Sequence, residues 1–438
     1  MPEFLKLLAP DDARSLLLTN LAAPLAAFEL INTAAALGRV AAEDVRAPHP
    51  LPEFFRSSMD GYAVRARDTF GASDTLPAYL ALAGEVPMGG APGFALRPGE
   101  CALIHTGGML PEGADAVVML EYTQGMEQGG AHGIPEGGNA PAGEVEILRA
   151  VADGENVIGV GEDVAAGQLV LPKGSLLRPA EIGGLMALGI RELRVARMVR
   201  VALISTGDEV VPVECRPDPG QVRDVNTHTL AALIEKSGGE PVRYGIVKDS
   251  FEALRAAAHS ALEACDALIV TAGSSASTRD MTAAVINTLG APGVLVHGIN
   301  TRPGKPTILG VCGGKAVIGL PGNPVSALVN GYLFVVPAIE KLLGSLPRPR
   351  PSVLARLTVN LPSQAGREDW WPVRLIVRPQ PSPRFPESWG RPGSGWDAEP
   401  IFAKSNLIFS LAAADGLLKI SAHATGLEAG HVVEVWLI

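Results

Sequence analysis

A chain of 438 residues with 47% hydrophobic and 19% charged residues is too long for one core and too apolar for disorder, so two to four domains are expected. The formal net charge is −10 and no dense run of Lys or Arg occurs, which argues against a nucleic-acid-binding face. The four cysteines, Cys101, Cys215, Cys265 and Cys312, form no C-x-x-C pair, and the histidines show no metal-ligand spacing. Reduced thiols and no zinc centre are therefore expected.

The N-terminal segment has no basic stretch followed by a long apolar one, and no run of about 20 uninterrupted apolar residues occurs. A cytoplasmic protein with no membrane span is expected. The 50 Gly and 36 Pro are spread along the chain without a fixed period, as turns between short strands and ligand loops would be.

In chain order, residues 11–20 suit a short helix capped by Asp11 or Asp12. Residues 28–46 carry an Ala-rich stretch that predicts a helix ended by Gly38. Pro48, Pro50 and Pro52 mark a boundary. Residues 53–150 are rich in Gly with short alternating runs, which predicts a separate β or mixed lobe. Within it, 125–143 reads as a mobile loop. Residues 151–197 read as short strands and one helix, starting at Pro179 and ended by Gly189.

From 198 to 345 the pattern changes. Strands at 199–204, 242–247, 267–271, 294–297, 307–309 and 315–319 alternate with helices at 226–237, 250–264, 279–289 and 325–343. Strand runs such as Ala267 to Val270 are apolar on both faces, as covered parallel strands are, so a doubly wound α/β domain is predicted. Ser250 suits a helix cap. Residues 346–350 form a stiff linker, and 352–438 read as a small β domain with a Pro-rich loop at 379–399.

In such a sheet, ligands bind beyond the carboxyl ends of the strands. Three loops follow strands directly. The first, Ser205 to Glu209, carries an acid pair. The second, Thr271 to Asp280, offers Gly273, Ser274 and Ser275 to an anion, with Asp280 placed to cap the next helix or hold a cation. The third, Gly319 to Ser326, is stiffened by Pro321 and Pro324 around Gly322 and Asn323, at a helix start. Arg302 and Lys305 add two cations. Each loop alone is what an ordinary turn would show. Together they describe an anion pocket rimmed by acids, a combination that suits Mg²⁺. No Walker motif and no Ser/His/Asp triad occurs.

The segments SSMDGYA (57–63), HTGGMLPEGADAVV (105–118), GED (161–163), STGDEV (205–210), RPGKP (302–306) and GLPGNPVSA (319–327) occur in that order. The set resembles the MoeA family, which includes the E domain of gephyrin. The resemblance implies a multidomain α/β-plus-β fold of four parts. These are a strand-and-helix domain (1–52 and 150–197), an inserted lobe (53–149), a molybdopterin-binding α/β domain (198–346) and a C-terminal β-barrel (350–438).

It also implies a homodimer, with a site where the lobe of one subunit meets the α/β domain of the other. Molybdopterin adenylyltransferase and molybdoenzyme-maturation proteins are the further partners it allows. The implied reaction converts adenylated molybdopterin and molybdate to molybdenum cofactor, with release of AMP and help from Mg²⁺. The matching functional residues are Asp60, Thr106, Asp163, Glu209, Asp249 and Asp280. On charge grounds Asp249 and Asp280 are then expected to be the metal pair and Lys305 a phosphate contact. A tungstate-inserting enzyme and a non-catalytic scaffold are the alternatives. Ala272 and Ser277 stand where the family has Gly, Arg302 stands where it has Lys, and Gly298 stands where some members have a further Lys.

Overall fold

Residues 7–25, 27–125, 143–272, 276–378 and 395–438 are described by a computed structural model. The chain divides into two units, one of residues 1–42, 173–179 and 192–438, the other of 43–172 and 180–191.

The larger unit is organised by a six-stranded sheet. Its order is Gly239–Val247, Val199–Thr206, Ala267–Ala272, Lys315–Pro321, Ile308–Cys312 and Pro292–His297. The first four strands are parallel, and Ile308–Cys312 runs antiparallel to both neighbours. Strand parity sorts the core. Val201, Leu203, Ile269 and Ile318 pack on one face with Leu230, Ile234, Val329 and Ile339. Ala202, Ile204, Leu268, Val270 and Val317 pack on the other with Leu254, Ala258 and Ile286. A strand sends alternate side chains to opposite faces, so a run apolar at every position needs helices on both. Each buried Val, Leu or Ile contributes about 1.5–3 kcal/mol.

The expected α/β alternation is present, with strands and helices within a few residues of their expected bounds. The helix expected at 279–289 is displaced most. It spans Ala276–Ile286, so Asp280 lies past its first turn and does not cap it. Helix Phe251–Ala264 does begin after Ser250, but the Ser250 side chain makes no capping bond. The last helical run comprises Pro324–Asn330, a π-helical turn Gly331–Val335, and Val336–Leu343. The wide turn precedes Pro337, which has no N–H to give. This run, 324–343, is long and apolar enough to cross a membrane by composition alone, but Val325, Val329, Phe334, Ile339 and Leu342 are buried in the core just described.

Near the N-terminus two expectations fail. Helix Pro10–Asn20 starts on Pro10, with Asp11 and Asp12 inside its first turn and no side-chain cap. The predicted helix over 28–46 is instead strand Phe28–Asn32 followed by a single 3₁₀ turn, Thr33–Ala35. Phe28–Asn32 pairs antiparallel with Glu192–Ala196, Phe28 opposite Ala196. That distant pairing overrides the helix propensity of a short Ala run. Gly38, at φ +75°, makes the expected turn.

The C-terminal segment is a closed barrel. Glu368–Val377 pairs with Trp396–Pro400 on one side and Gly416–Ile420 on the other. Ser352–Leu357 and Val432–Leu437 complete the ring. Leu357, Val373, Leu418, Ile420 and Val435 fill the interior. Strand Trp396–Pro400 corrects the loop predicted to run to 399; residues 379–394 lie outside those described.

The smaller unit holds a six-stranded sheet, in the order Ala116–Met119, Gly61–Val64, Glu100–Ile104, Ala78–Glu85, Glu144–Ile147 and Thr123–Gly125. This is the β lobe the alternating runs predicted. The loop read at 125–143 falls on residues outside the description but for its two ends. Two short antiparallel pairs, Arg56–Ser57 with Val157–Ile158 and Val45–Arg46 with Leu169–Leu171, bring the chain back beside its point of entry. Helix Pro179–Ala187 begins at the expected proline, and Gly189 follows at φ +70°.

The cysteines differ in reach. Cys101, Cys265 and Cys312 are buried, whereas Cys215 is exposed. Burial pushes the Cys101 thiol up to about 12 and the Cys312 thiol up to about 11. Thiolate is the reactive form. Iodoacetamide at pH 8 is expected to label the native protein once, at Cys215, by peptide mass mapping. Labelling of Cys101 at a comparable rate would contradict the buried assignment.

Candidate functional site

In the larger unit, the loops that carry chemistry leave the carboxyl edge of the sheet. Strand Val199–Thr206 ends in two buried polar residues. Thr271 Oγ1 lies 3.3 Å from Ser205 Oγ, and Thr206 Oγ1 donates to Asp249 Oδ1 at 2.5 Å. Asp249 follows strand Gly239–Val247, next to Val199–Thr206 in the sheet, and its amide lies 3.5 Å from Asp208 Oδ1. Gly207 sits at φ +140°, and a Cβ there would lie 2.8 Å from Glu209 Oε2. The Glu209 carboxylate is folded over its own loop, and only glycine permits it.

The Pro321–Pro324 loop is fixed by amide side chains. Asn226 Nδ2 donates to Gly322 O at 2.8 Å, and Asn323 Nδ2 donates to Ser405 Oγ at 3.1 Å. Pro321 ends a strand and is buried; Pro324 opens a helix; Ser326 is buried inside it. Arg302 is exposed, with its guanidinium carbon 5.8 Å from the centre of the Trp371 ring, within cation–π range. Lys305 is exposed and makes no ion pair among the described residues. Asp280 is also exposed. Gly273, Ser274 and Ser275 lie outside the described residues, as does the side chain of Ser277. Ala272 is the buried last residue of its strand.

In the smaller unit, Asp60 precedes strand Gly61–Val64. Its Oδ1 accepts from the Thr106 amide at 2.7 Å and from Thr106 Oγ1 at 3.1 Å. His105 Nδ1 lies 3.8 Å from the same oxygen, and His105 Nε2 lies 3.3 Å from Glu85 Oε1. The Thr106 amide, then its hydroxyl, hold the Asp60 carboxyl below its ordinary range, and His105 adds to this. The tight packing needs Gly61: a Cβ there would fall 1.9 Å from Val118 O. Among the described residues no hydrogen bond or ion pair joins Asp163 to this group; it is exposed on a bend, with its amide bonded to Leu51 O at 3.0 Å.

Sequence reasoning missed His105, Glu85, Asn226 and Ser405. His105 lay inside a quoted motif but had no visible partner. Glu85 reaches it only because Ala78–Glu85 and Glu100–Ile104 pair as parallel neighbours, Glu85 opposite Leu103.

Three family models divide the chain. The MoeA N-terminal region (domain I and II) matches residues 8–189, the model described as "Probable molybdopterin binding domain" matches 202–341, and the MoeA C-terminal region (domain IV) matches 354–438. The chain is 34% identical over 406 residues to molybdopterin molybdenumtransferase 2 of Mycobacterium tuberculosis, covering 92% of this chain and 93% of that one. This chain belongs to the MoeA family. It is also 32% identical over 405 residues to the molybdopterin molybdenumtransferase of Bacillus subtilis, covering 92% of this chain and 88% of that one. The crystal structure of the molybdopterin biosynthesis moeA protein from Pyrococcus horikoshii superposes with a TM-score of 0.80 at 30% identity, covering 99% of this chain and 100% of that one. The MoeA-like architecture, with its α/β domain and closed C-terminal barrel, is therefore that of the family.

Two measurements test the lobe. Replacing Thr106 by Val keeps its amide but removes the hydroxyl donor. The Asp60 carboxyl is then expected to titrate at higher pH than in the parent protein, by carboxyl-carbon NMR. An unchanged titration would remove the hydroxyl from the account. Gly61→Ala should destabilise the lobe by roughly 1–3 kcal/mol, as overpacking does, read as a lower denaturation midpoint.

Proposed function

We propose that this chain inserts molybdate into adenylated molybdopterin, forming molybdenum cofactor and releasing AMP. The observation that carries the reading is the grouping, at one sheet edge, of the 206–209 acid loop, Asp249 and two fixed loops bearing cations and a helix start. The four-part division and the site residues implied by the resemblance are part of this proposal. So is a homodimer; Phe28, Leu30 and Leu37 leave exposed apolar surface that a second copy would suit. A cytoplasmic location accords with this biosynthetic role.

The chemistry follows from charge. AMP leaves with negative charge developing on phosphate, which Lys305 and the Pro324 helix start would offset. Among the described residues, no three His, Cys, Asp or Glu gather to hold a metal. Mg²⁺ does not need such a cage, since it uses one or two carboxylates and completes its shell with phosphate oxygens and water. Asp249 and Asp280 fit that donor set and would hold it; when bound, it supplies positive charge to the phosphates. In the lobe, Asp60 stays ionised under its Thr106 donors and would position an attacking oxygen or the oxyanion.

A turnover assay decides. The purified protein should release AMP from adenylated molybdopterin with Mg²⁺ and molybdate, with tungstate run in parallel. Release with tungstate alone would reassign the metal, and no release with either would overturn the enzymatic reading. Asp280→Asn should lower turnover at least about a hundredfold, on the scale of losing a charge-stabilising group, with its circular dichroism unchanged. Near-normal turnover at ordinary Mg²⁺ would remove Asp280 from the metal pair.

A further inference from the structure

Two buried side-chain atoms among the described residues have no hydrogen-bond partner, Asn226 Oδ1 and Asn330 Oδ1. Both belong to asparagines whose Nδ2 holds a loop at the carboxyl edge. An unpaired buried acceptor costs about 1–3 kcal/mol. An apolar side chain of similar volume at position 330 would avoid that cost, so the benefit of the amide lies in what its N–H groups fix.

Asn330 is fully buried in the helical run that starts at Pro324. Its Nδ2 donates to Ser326 O at 2.8 Å and to Pro303 O at 3.3 Å. It therefore joins the 302–305 loop to the helix that follows Gly322 and Asn323. The approach is close enough to exclude any side chain at Gly304, where a Cβ would lie 1.7 Å from Asn330 Nδ2 and φ is +103°. The neighbouring carbonyls are also engaged. Gly304 O accepts from Thr307 N at 3.1 Å and Thr307 Oγ1 at 2.8 Å, and Lys305 O accepts from Ile299 N at 2.8 Å. Three consecutive carbonyls are thus held, while the Lys305 ammonium has no ion pair among the described residues.

We propose that Asn330 is a positioning residue for anion binding. Its amide locks the Pro303–Lys305 backbone to the Pro324 helix, so that the Lys305 ammonium and the Gly322–Asn323 turn address one anion as a single rigid body. Asn226 holds the second of these elements through Gly322 O. Asn330 touches no substrate atom; it acts through Lys305. This inference rests on the phosphate-binding reading of the site above.

The test is a double-mutant cycle on the full chain, with AMP as the probe and calorimetry as the readout. Asn330→Leu keeps the branching and number of side-chain heavy atoms and removes both the donors and the orphaned oxygen. It is expected to fold and to raise the Kd for AMP about tenfold, while Lys305→Ala raises it by at least as much. The double variant should bind within about twofold of Lys305→Ala alone, because coupled residues are non-additive. Effects that multiply, or a Kd for Asn330→Leu within twofold of the parent, overturn the proposal. If Asn330→Leu does not fold, Asn330→Ser, too short to reach Pro303 O, takes its place in the cycle under the same criteria. A parent protein that does not bind AMP overturns the phosphate reading and this inference with it, whereas AMP binding with additive effects overturns this inference alone.

Discussion

The arrangement depends first on one strand. Val199–Thr206 is paired on both edges by parallel neighbours and is almost wholly buried. Parallel pairing cannot be closed by a tight turn, so each return must be a crossover that packs a helix on a face of the sheet. The faces are thereby sealed, and the strand ends are where polar groups can be displayed. Ser205 and Thr206 mark that transition. Both are still in the strand and buried; Ser205 accepts from Thr271 of the neighbouring strand, whereas the Thr206 hydroxyl already reaches past the strand end to Asp249. The acids of the candidate site sit where the core stops.

The two units use different means to hold a carboxylate. Asp249 is tied by a hydroxyl at the margin of a dense core, and nearby Glu209 is folded over a glycine. Asp60 is exposed, and its geometry is set by the Thr106 amide and hydroxyl meeting one oxygen. Among the described residues the second Asp60 oxygen has no hydrogen-bond donor, while the first accepts two.

Much of this was legible in the sequence, for reasons specific to each element. Ala267 to Val270 is apolar at every position, so its environment followed from its composition. The two prolines around Gly322, Pro321 and Pro324, fix local backbone, so that loop was visible too. Elements set by distant partners were not. Phe28–Asn32 is a strand because Glu192–Ala196 lies beside it, and Trp396–Pro400 because it joins two barrel strands. The same limit hid parts of the site. His105 acquires Glu85 only through a parallel pairing, and Asn330 acquires Pro303 only through a hairpin return and a helix start. No spacing rule links residues 85 and 105, or 303 and 330.

The departure at Arg302 is best understood from what faces it. Arginine keeps the positive charge of lysine but spreads it over a planar group that can lie on an aromatic ring. Trp371, on the barrel strand Glu368–Val377, offers that ring, and Trp371 is itself set edge-on to Phe402 at 5.4 Å. Strand Thr301–Arg302 pairs in parallel with Glu368–Asp369, so barrel and loop share a backbone register just where the aromatic face is needed. A carboxylate partner would have fixed the charge by neutralising it. An aromatic partner fixes it while leaving guanidinium N–H groups for an anion. Position 302 thus remains cationic in a chain of net charge −10, and the Trp371 ring holds that cation without neutralising it.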